Sequence, residues 1–455
     1  MFRLYFNKNK PDFAKTIEVF QELINYYGIP FDSFKLDELI DKKTKEKEQL
    51  NQAIMKYISR KTGEKCSYIN YTGRLVTKTN IAAFVTEVLD LPENKFINRK
   101  GNYSFKLSDI EYLINDRQML NTPKAKEEIG FLQNIANYLN TTRLISSTNQ
   151  LAISRGLYKN KVVTAYKEMN KVDNVNFDDI KDKLRDKNLF YVYPTFSELA
   201  TGRISTSEPN IQGLGAEVKE LMTAPKGYKI ASVDIKGQDV HILICGILDN
   251  PQIKELYVKY GDPYRAIIES SGFEFNKSVR NDTKVVILGV MNGMSLGTAL
   301  SDVKDKDLGR TIYNLIVNDN GYKKIVLKYV NENKYSKNPM RTGLFGTKKK
   351  VSVENMRYKN SLSNQLKNGF FQQTAAEIVT LSINGFLTEI KENPNITFND
   401  IRLLTPIYDE FVMVYREDLE EYALDIFKSY FMPSVEDWPI FRGEVLIGDT
   451  YRSKE

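Results

Sequence analysis

Cysteine and histidine are scarce in this chain, and their scarcity argues against several kinds of site. The 455 residues include two cysteines, Cys66 and Cys245, and a single histidine, His241. Two cysteines are too few for a disulfide framework or a cysteine-based zinc site, and one histidine argues against a histidine-centred zinc site or a Ser-His-Asp triad. His241 lies in the apolar run 240–248, where we predict a helix residue with a local hydrogen-bond partner.

Long hydrophobic runs and a large excess of one charge are also missing. The apolar stretch at the N-terminus is too short for a signal peptide, and no segment is long enough to span a bilayer. We therefore predict a cytoplasmic protein without a membrane partner. The 65 basic and 58 acidic residues give a net charge of +7. That excess is compatible with a phosphate-backbone partner but does not identify one.

The composition is that of a folded protein, with 42% hydrophobic and 27% charged residues in a chain long enough for two or three subdomains. Residues 12–165 have mainly the pattern of helices with charged faces. Two segments predict loops: 95–106, where cations and aromatic residues are interleaved, and 342–350, which is rich in lysine and glycine. Interleaved cations and rings can hold a nucleic-acid strand, but an ordinary exposed loop explains 95–106 equally well.

A strand pattern appears after residue 190. Residues 229–234 predict a strand that ends at Asp234, and an apolar helix is predicted to follow it through Leu248. Helical patterns then fill most of 251–361. The first predicted strand is thus followed by a long helical segment.

A second pair of strands is predicted towards the C-terminus. After a predicted helix over 374–387, segments 403–407 and 411–415 flank Asp409 and Glu410. This pattern predicts a β-hairpin with the two acids at its tip. Sheet-forming segments that carry acids therefore lie on both sides of the helical insertion.

Asp234 and Asp409 are candidate metal ligands. Mg²⁺ prefers one or two carboxylates and leaves room for substrate phosphate oxygens. Paired Mg²⁺ ions can activate a hydroxyl and stabilise a leaving pyrophosphate. Either residue alone is an ordinary turn former at the end of a strand. The two together, with a doubly cationic helix between them, favour a site for a nucleoside triphosphate.

Arg280 and Lys284 are the two cations of that helix. Their i, i+4 spacing places both on one helix face. Cations in a first helical turn are mildly unfavourable against the helix dipole unless an anion is present, and a triphosphate would supply one. A solvated basic face is the structural alternative, which the neighbours Asn281 and Asp282 do not exclude.

The polar segment 201–212 carries the long donors Arg203, Asn210 and Gln212. Such side chains can reach the minor-groove acceptors that A·T and G·C pairs both display. Contacts of this kind would test the shape of a base pair without reading its sequence. As an isolated string, the segment is also an ordinary polar loop.

In this order and context, the motifs resemble those of the family A DNA polymerases, the bacterial polymerase I type. The resemblance covers residues from about 195 to 450 closely, and the N-terminal helical region only loosely, as a thumb. The matching segments are the signature before the first catalytic motif (201–212), motif A (232–234), the dNTP-binding helix or motif B (280–295), the palm helix (368–377) and motif C (408–410).

The resemblance implies a role for each matching residue. Asp234 and Asp409 would be the ligands of two Mg²⁺ ions, and Glu410 would support them as a third catalytic acid. Arg280 and Lys284 would bind the incoming triphosphate. The residues that would contact primer-template DNA are Arg203, Asn210, Gln212, Asn368 and Gln372.

Several positions in the nucleotide site depart from the family pattern. Asp239 replaces the glutamate that abuts the 2′ position of the incoming sugar, and Asn292 replaces the tyrosine next to the template base. Leu288 replaces the aromatic residue under the sugar, and Tyr408 replaces the histidine beside the catalytic aspartate. These departures leave the metal chemistry in place and bear on fidelity and sugar choice.

The resemblance also implies an α+β fold, a right-hand polymerase with a helical thumb, an antiparallel-sheet palm and inserted helical fingers. The predicted parts are a thumb-like region over 1–190, a palm split between 191–250 and 362–455, and fingers over 251–361. The implied activity is primer-dependent 5′-to-3′ DNA synthesis by two-metal nucleotidyl transfer, with primer-template DNA and dNTPs as partners.

Proofreading is not expected. The first hundred residues carry no Asp-x-Glu strand motif, and the acids at 178–182 indicate the start of a helix. The compact chain indicates a phage or another mobile element, which would place it in the host cytoplasm, with separate replication factors as further partners.

Two alternatives stay open. One is a single-subunit RNA polymerase, which shares this palm; Asp239 argues against it, because that family normally carries a small residue there. The other is a catalytically silent nucleic-acid-binding relative. The presence of both candidate metal ligands together with both cations of the helix argues against that alternative.

Overall fold

The fold is taken from a computed structural model, which describes residues 2–6, 8–63, 84–89, 107–184, 186–301, 303–351 and 359–451. The chain divides into two compact units. The first, called the sheet unit, comprises Met1–Phe31, Asp182–Gly213 and Met222–Glu455. The second, called the helical unit, comprises Asp32–Lys181 and Leu214–Leu221. The predicted loop over 95–106 lies outside the described residues.

The helical unit consists of long helices whose first turns are capped by side chains. Asp32 accepts the backbone N–H groups of Phe34 and Lys35, and Thr122 accepts that of Ala125. These caps satisfy N–H groups that have no partner within the helix. The α-helices of this unit include Ser33–Thr62, Leu107–Leu120, Pro123–Asn170, Phe177–Ile180 and Ala216–Lys219.

Aromatic and aliphatic side chains form the core of the helical unit. The ring of Tyr57 stacks on that of Phe131 with 4.2 Å between centroids, and Phe84 packs edge-on against Phe131. Among these apolar residues, the buried carboxylate of Glu128 pairs with Arg117 at 2.9 Å. The buried core residues are Ile54, Tyr57, Ile58, Phe84, Val85, Leu89, Ile110, Leu113, Phe131, Leu132 and Ile135.

The sheet unit is organised around a four-stranded antiparallel sheet, called the central sheet. Its strands lie in the order Gly443–Gly448, Tyr228–Ile235, Glu410–Arg416 and Ile401–Ile407. The last three are almost completely buried, which explains their runs of apolar residues. Both the predicted strand before Asp234 and the predicted hairpin around Asp409 are confirmed, and with them the α+β fold class.

The rest of the sheet unit is mainly helical, as predicted for 251–361. The apolar helix expected through Leu248 is α-helical over Gln238–Ile242 and π-helical over Leu243–Ile247. The other helices of this unit are Phe13–Tyr27, Pro251–Tyr260, Pro263–Ser270, Lys277–Met291, Leu296–Ser301, Lys306–Val317, Asn320–Tyr322, Lys323–Leu327 (π), Lys328–Asn333, Lys359–Glu392, Glu417–Leu419 (3₁₀) and Glu420–Phe431. A further 3₁₀ turn covers Lys181–Lys183.

Short strands pair outside the central sheet. Arg3–Leu4 lies parallel to Ser434–Val435, and Ile29–Asp32 pairs with Leu189–Val192. Thr195–Glu198 and Ile204–Ser207 form an antiparallel pair. The first two pairings bring distant parts of the sequence together.

The segment predicted as a loop over 342–350 is a hairpin instead. Met340–Thr342 pairs with Lys348–Lys350, and the turn between them is bound to the helix Lys359–Glu392. Thr347 N–H donates to the Glu377 carboxylate at 3.0 Å, and Gln373 Nε2 donates to the Thr347 carbonyl at 2.9 Å. These partners lie far along the sequence, so local lysine and glycine content could not reveal the strands.

His241 is a helix residue with a hydrogen-bond partner, as predicted. Its Nδ1 lies 2.6 Å from the hydroxyl of Tyr257, and its ring stacks on Phe441 at 3.9 Å. Burial lowers the pKa of His241 to about 3, so the ring is neutral. No helix within the described ranges has the length and hydrophobicity needed to cross a membrane.

Candidate active site

Asp234 and Asp409 lie together at one end of the central sheet. The register of the two inner strands places Asp234 opposite Glu410, and the N–H of Ile235 donates to the Asp409 carbonyl at 3.1 Å. Asp409 lies in the hairpin turn with Tyr408, whose φ of 60° is left-handed. The antiparallel pairing therefore brings together two acids that are far apart in sequence.

The electrostatics of this acidic pair suit a divalent cation. Burial raises the pKa of Asp409, and the nearby negative charge of Asp234 raises it further. A bound cation would relieve both effects. No group of three or more His, Cys, Asp or Glu side chains suited to a metal occurs among the residues that the structure describes. Two carboxylates facing open space instead match the ligand preference of Mg²⁺, which takes its other ligands from phosphate and water.

Two cavities open beside the acids, and both are bordered by Gly237, Lys284 and Asp409. The first, called the Asp239 cavity, has a volume of about 380 Å³; its other polar and site residues include Arg203, Gln212, Asp239, Leu288 and Gln372. The second, called the Arg280 cavity, has a volume of about 620 Å³; it is also bordered by Asp234, Asp262, Tyr264, Arg280 and Arg442. Both metal-ligand candidates and both candidate phosphate ligands thus border the Arg280 cavity.

Arg280 is held at the wall of its cavity by two contacts. The helix Lys277–Met291 begins after Asn276, whose side chain accepts the N–H of Val279 at 3.0 Å. Arg280 Nε lies 3.5 Å from the carboxylate of Asp262, and its guanidinium lies 4.8 Å from the centre of the Tyr264 ring. These contacts fix a cation beside the acidic pair.

Asp239 is in the first turn of the helix Gln238–Ile242, directly after the left-handed Gly237. One of its carboxylate oxygens lies 3.7 Å from Arg203 Nη2, and the other is buried without a hydrogen-bond partner. Burial raises the pKa of Asp239, and the charge of Arg203 opposes that shift. A buried acceptor without a partner is suited to a donor on a ligand.

Glu410 is fixed by a residue that the sequence patterns did not single out. Its Oε2 accepts a hydrogen bond from the hydroxyl of Tyr451 at 2.8 Å, and Tyr451 is buried. The two residues are 41 positions apart. No local motif connects them, so only the tertiary structure reveals this partner of Glu410.

The other sequence-predicted residues differ in how close they come to these cavities. Gln212 borders the Asp239 cavity, but its Nε2 already donates to the carbonyls of Ile204 and Pro406 at 2.9 and 3.0 Å. Three further residues border neither cavity. Asn210 is exposed and accepts from Gly213 N–H, Asn292 donates to the Leu288 carbonyl at 2.8 Å, and Asn368 is half-buried.

Comparison with known proteins gives the same family as the motifs. The sequence model of DNA polymerase family A matches residues 104–437. DNA polymerase I of Pseudomonas aeruginosa is 23% identical over 280 residues, which are 57% of this chain and 30% of that protein. The chain thus spans about a third of that relative's length.

A solved structure gives the same fold. The POL domain of Pol1 from M. smegmatis, determined in complex with DNA primer-template and dNTP, superposes with a TM-score of 0.70. It is 15% identical, and the match covers 96% of this chain and 70% of that one. The likeness confirms the predicted polymerase fold.

Proposed function

The chain belongs to DNA polymerase family A, and from that premise we propose that it synthesises DNA 5′-to-3′ on a primer-template from dNTPs. One observation carries the proposal: Asp234 and Asp409 meet at the end of the central sheet, beside a cavity bordered by Arg280 and Lys284. Carboxylates that hold metal ions and cations that bind phosphates are the two requirements of nucleotidyl transfer.

In this proposal Asp234 and Asp409 hold two Mg²⁺ ions. When bound, Mg²⁺ supplies charge stabilisation to the attacking and leaving oxygens. Asp409 must be ionised to act as a ligand, and its raised pKa means that cation binding and loss of its proton are coupled. Glu410, held by Tyr451, adds negative charge opposite Asp234.

Arg280 and Lys284 bind the triphosphate. Arg280 offers a planar fork of donors that suits phosphate oxygens, and a bound phosphate would compete with Asp262 for it. Lys284 borders both cavities, so it lies between the space beside Asp239 and the space beside Arg280. We assign the sugar to the Asp239 cavity, with Asp239 and Leu288 beside it, and the phosphates to the Arg280 cavity.

The remaining assignments follow the family. Primer-template contacts are proposed for Arg203, Asn210, Gln212, Asn368 and Gln372. Gln212 would have to release one of its two carbonyl partners, Ile204 or Pro406, to donate to DNA. The central sheet corresponds to the palm, with the fingers over 251–361 and a thumb-like region within 1–190. Asn292 is proposed to lie next to the template base at the end of the helix Lys277–Met291.

We also propose that these 455 residues do not remove a mismatched primer terminus. The acids at 178–182 are explained by local structure. Asn176 and Asp179 form a capping box, in which the side chain of each accepts the backbone N–H of the other, at 3.2 and 2.9 Å. Asp179 therefore has a structural role at a helix start, and Asp178 and Asp182 pair with Lys181 and Lys187 at 3.2 and 3.3 Å.

The function is tested by primer extension on a defined template with all four dNTPs and Mg²⁺. The purified chain should lengthen the primer to the template end, and Asp234→Ala should not. A parallel reaction with a mismatched terminus and no dNTPs should leave the primer at full length. Absence of extension by the wild-type chain would refute the synthetic function, and shortening of the mismatched primer would refute only the lack of proofreading.

A further inference from the structure

Arg442 borders the Arg280 cavity, although no motif of the sequence includes it. It directly precedes the strand Gly443–Gly448, in which Gly443 pairs with Ile235, the residue after Asp234. The carbonyl of Arg442 also accepts the N–H of Lys236 at 2.8 Å. Two backbone contacts therefore hold Arg442 on the strand next to Asp234.

The side chain of Arg442 reaches the turn that also contacts Arg280. Its guanidinium packs directly on Gly261, where a β-carbon would overlap it. Gly261 ends the helix Pro251–Tyr260 with a left-handed φ of 67°, a conformation that favours glycine. The next residue, Asp262, contacts Arg280 at 3.5 Å. The two guanidinium groups thus both contact the segment 261–262.

The charges at this place indicate an anionic ligand. Arg442 forms no ion pair with any carboxylate in the described part of the chain, whereas the neighbouring Lys236 lies 3.7 Å from Glu444. Arg280, Lys284 and Arg442 border one cavity together with the carboxylates of Asp234, Asp262 and Asp409. Asp234 and Asp409 are the proposed metal ligands and Asp262 contacts Arg280, so the charge of Arg442 is left for an anionic ligand. Lys284 also borders the Asp239 cavity, but Arg280 and Arg442 do not. The two arginines therefore lie at the end of the site that is farther from the proposed sugar position.

We propose that Arg442 binds the β- and γ-phosphates of the incoming dNTP and the pyrophosphate that leaves, an inference that rests on the proposed polymerase function. In the transfer, the primer 3′-oxygen forms a bond to the α-phosphorus and its proton passes to water. The bond from the α-phosphorus to the bridging oxygen breaks, and its electron pair leaves with pyrophosphate. Negative charge grows on that leaving group, where a guanidinium fork stabilises it.

Steady-state kinetics of Arg442→Gln test this assignment. The substitution removes the charge and leaves both backbone contacts in place. We expect the KM for a dNTP, and the KM for pyrophosphate in the reverse reaction, to rise about 10- to 100-fold, the range for a lost charged hydrogen bond. The Kd for primer-template should stay within about twofold. Arg442→Lys, which keeps the charge without the fork, should give a smaller rise.

Arg310→Gln is the matched control, because it removes the same charge from an exposed arginine that pairs with Asp307 at 3.2 Å. Unchanged KM values in Arg442→Gln, or an equal rise in Arg310→Gln, would overturn the assignment. If the wild-type chain extends no primer, the proposed function fails by itself. Calorimetry with inorganic pyrophosphate then decides the role of Arg442: weaker binding to Arg442→Gln supports it, and equal binding overturns it.

Discussion

The guanidinium of Arg203 lies 3.7 Å from the carboxylate of Asp239, and the second oxygen of that carboxylate is buried without a hydrogen-bond partner. Arg203 therefore neutralises one side of Asp239 and leaves the other side as an acceptor. In the family, a longer glutamate fills this position against the sugar. Asp239 is one methylene shorter than that glutamate and leaves a gap beside the sugar. Its carboxylate oxygen without a partner can accept a hydrogen bond from a 2′-hydroxyl.

We therefore expect weak discrimination against ribonucleotides. Asp239→Glu should raise the preference for a dNTP over its rNTP by about 10- to 200-fold, because it restores the missing methylene. Single-nucleotide insertion rates for each rNTP and dNTP pair measure this. Strong discrimination by the wild-type chain would contradict it, and a clear preference for rNTPs would favour the RNA polymerase alternative.

The raised pKa of Asp409 predicts that the ionised carboxylate, which metal binding needs, destabilises the folded chain. A carboxyl group whose pKa rises on folding contributes stability that is complete below its unfolded pKa and is lost as pH rises through its folded pKa. At neutral pH with a chelator, Asp409→Asn should therefore have a higher Tm than the wild-type chain, and the difference should shrink in acid.

Added Mg²⁺ should reverse that order, because it binds the wild-type carboxylates and not the amide. Thermal unfolding across a pH series, with chelator and with Mg²⁺, measures both effects. A lower Tm for Asp409→Asn at neutral pH in chelator would show that the ionised Asp409 carboxylate does not destabilise the folded chain.

Gly343 is predicted to tolerate no side chain. A β-carbon there would overlap the carboxylate of Glu377, which is fixed because it accepts the N–H groups of Phe345 and Thr347 at 3.0 Å. Gly343→Ala should lower the free energy of unfolding by about 1–3 kcal/mol, as overpacking does. Gly156→Ala is the control: its β-carbon meets no atom within 4 Å on the helix Pro123–Asn170, so stability should rise by about 0.5–1 kcal/mol. Denaturant unfolding measures the free energy of unfolding of both variants. Equal changes in the two would contradict a close contact between Gly343 and Glu377.

The sequence predicted the parts of the site that depend on local order. The hydrophobic strand up to Asp234, the hairpin around Asp409 and the i, i+4 pair on the helix Lys277–Met291 are each visible within a few residues. The antiparallel pairing that places Asp234 opposite Glu410 joins two such elements from distant parts of the sequence. These elements could be predicted because one periodicity or one turn specifies each.

Contacts between distant residues could not be predicted in this way. Tyr451 reaches Glu410 from the last strand region, and Gln212 donates to Pro406 across 194 positions. Glu377 on a later helix binds the turn of the hairpin over 340–350, whereas the lysine-rich sequence of that segment by itself indicated a loop. Each of these depends on which elements pack together, and a single sequence does not display that.

The lysines of that hairpin should differ in their contribution to DNA binding. Lys349 pairs with Glu198 and lies 4.3 Å from the centre of the Phe13 ring, whereas Lys348 and Lys350 are exposed. Replacing Lys348 and Lys350 by glutamine should reduce the slope of log Kd against log salt by about 2, one for each lost phosphate contact, equally on unrelated sequences.

Lys349→Gln is the matched control and should leave that slope unchanged, because its ammonium group is already paired within the fold. Binding across a salt series on two DNA sequences measures the slopes. If the slope changes in Lys349→Gln and not in the variant of Lys348 and Lys350, the phosphate contact is made by Lys349 and the prediction is wrong.

The central claim is that Asp234 and Asp409 act as one catalytic centre, and single-turnover insertion of one dNTP tests it most directly. Asp234→Asn and Asp409→Asn should each slow insertion by about 1,000-fold at unchanged primer-template affinity, and the double variant should be little slower than either. Glu444→Gln removes an acid that also faces Asp234 but borders neither cavity, and it should keep wild-type rates. Near-normal insertion by either aspartate variant, or a loss that follows weaker DNA binding, would contradict the claim.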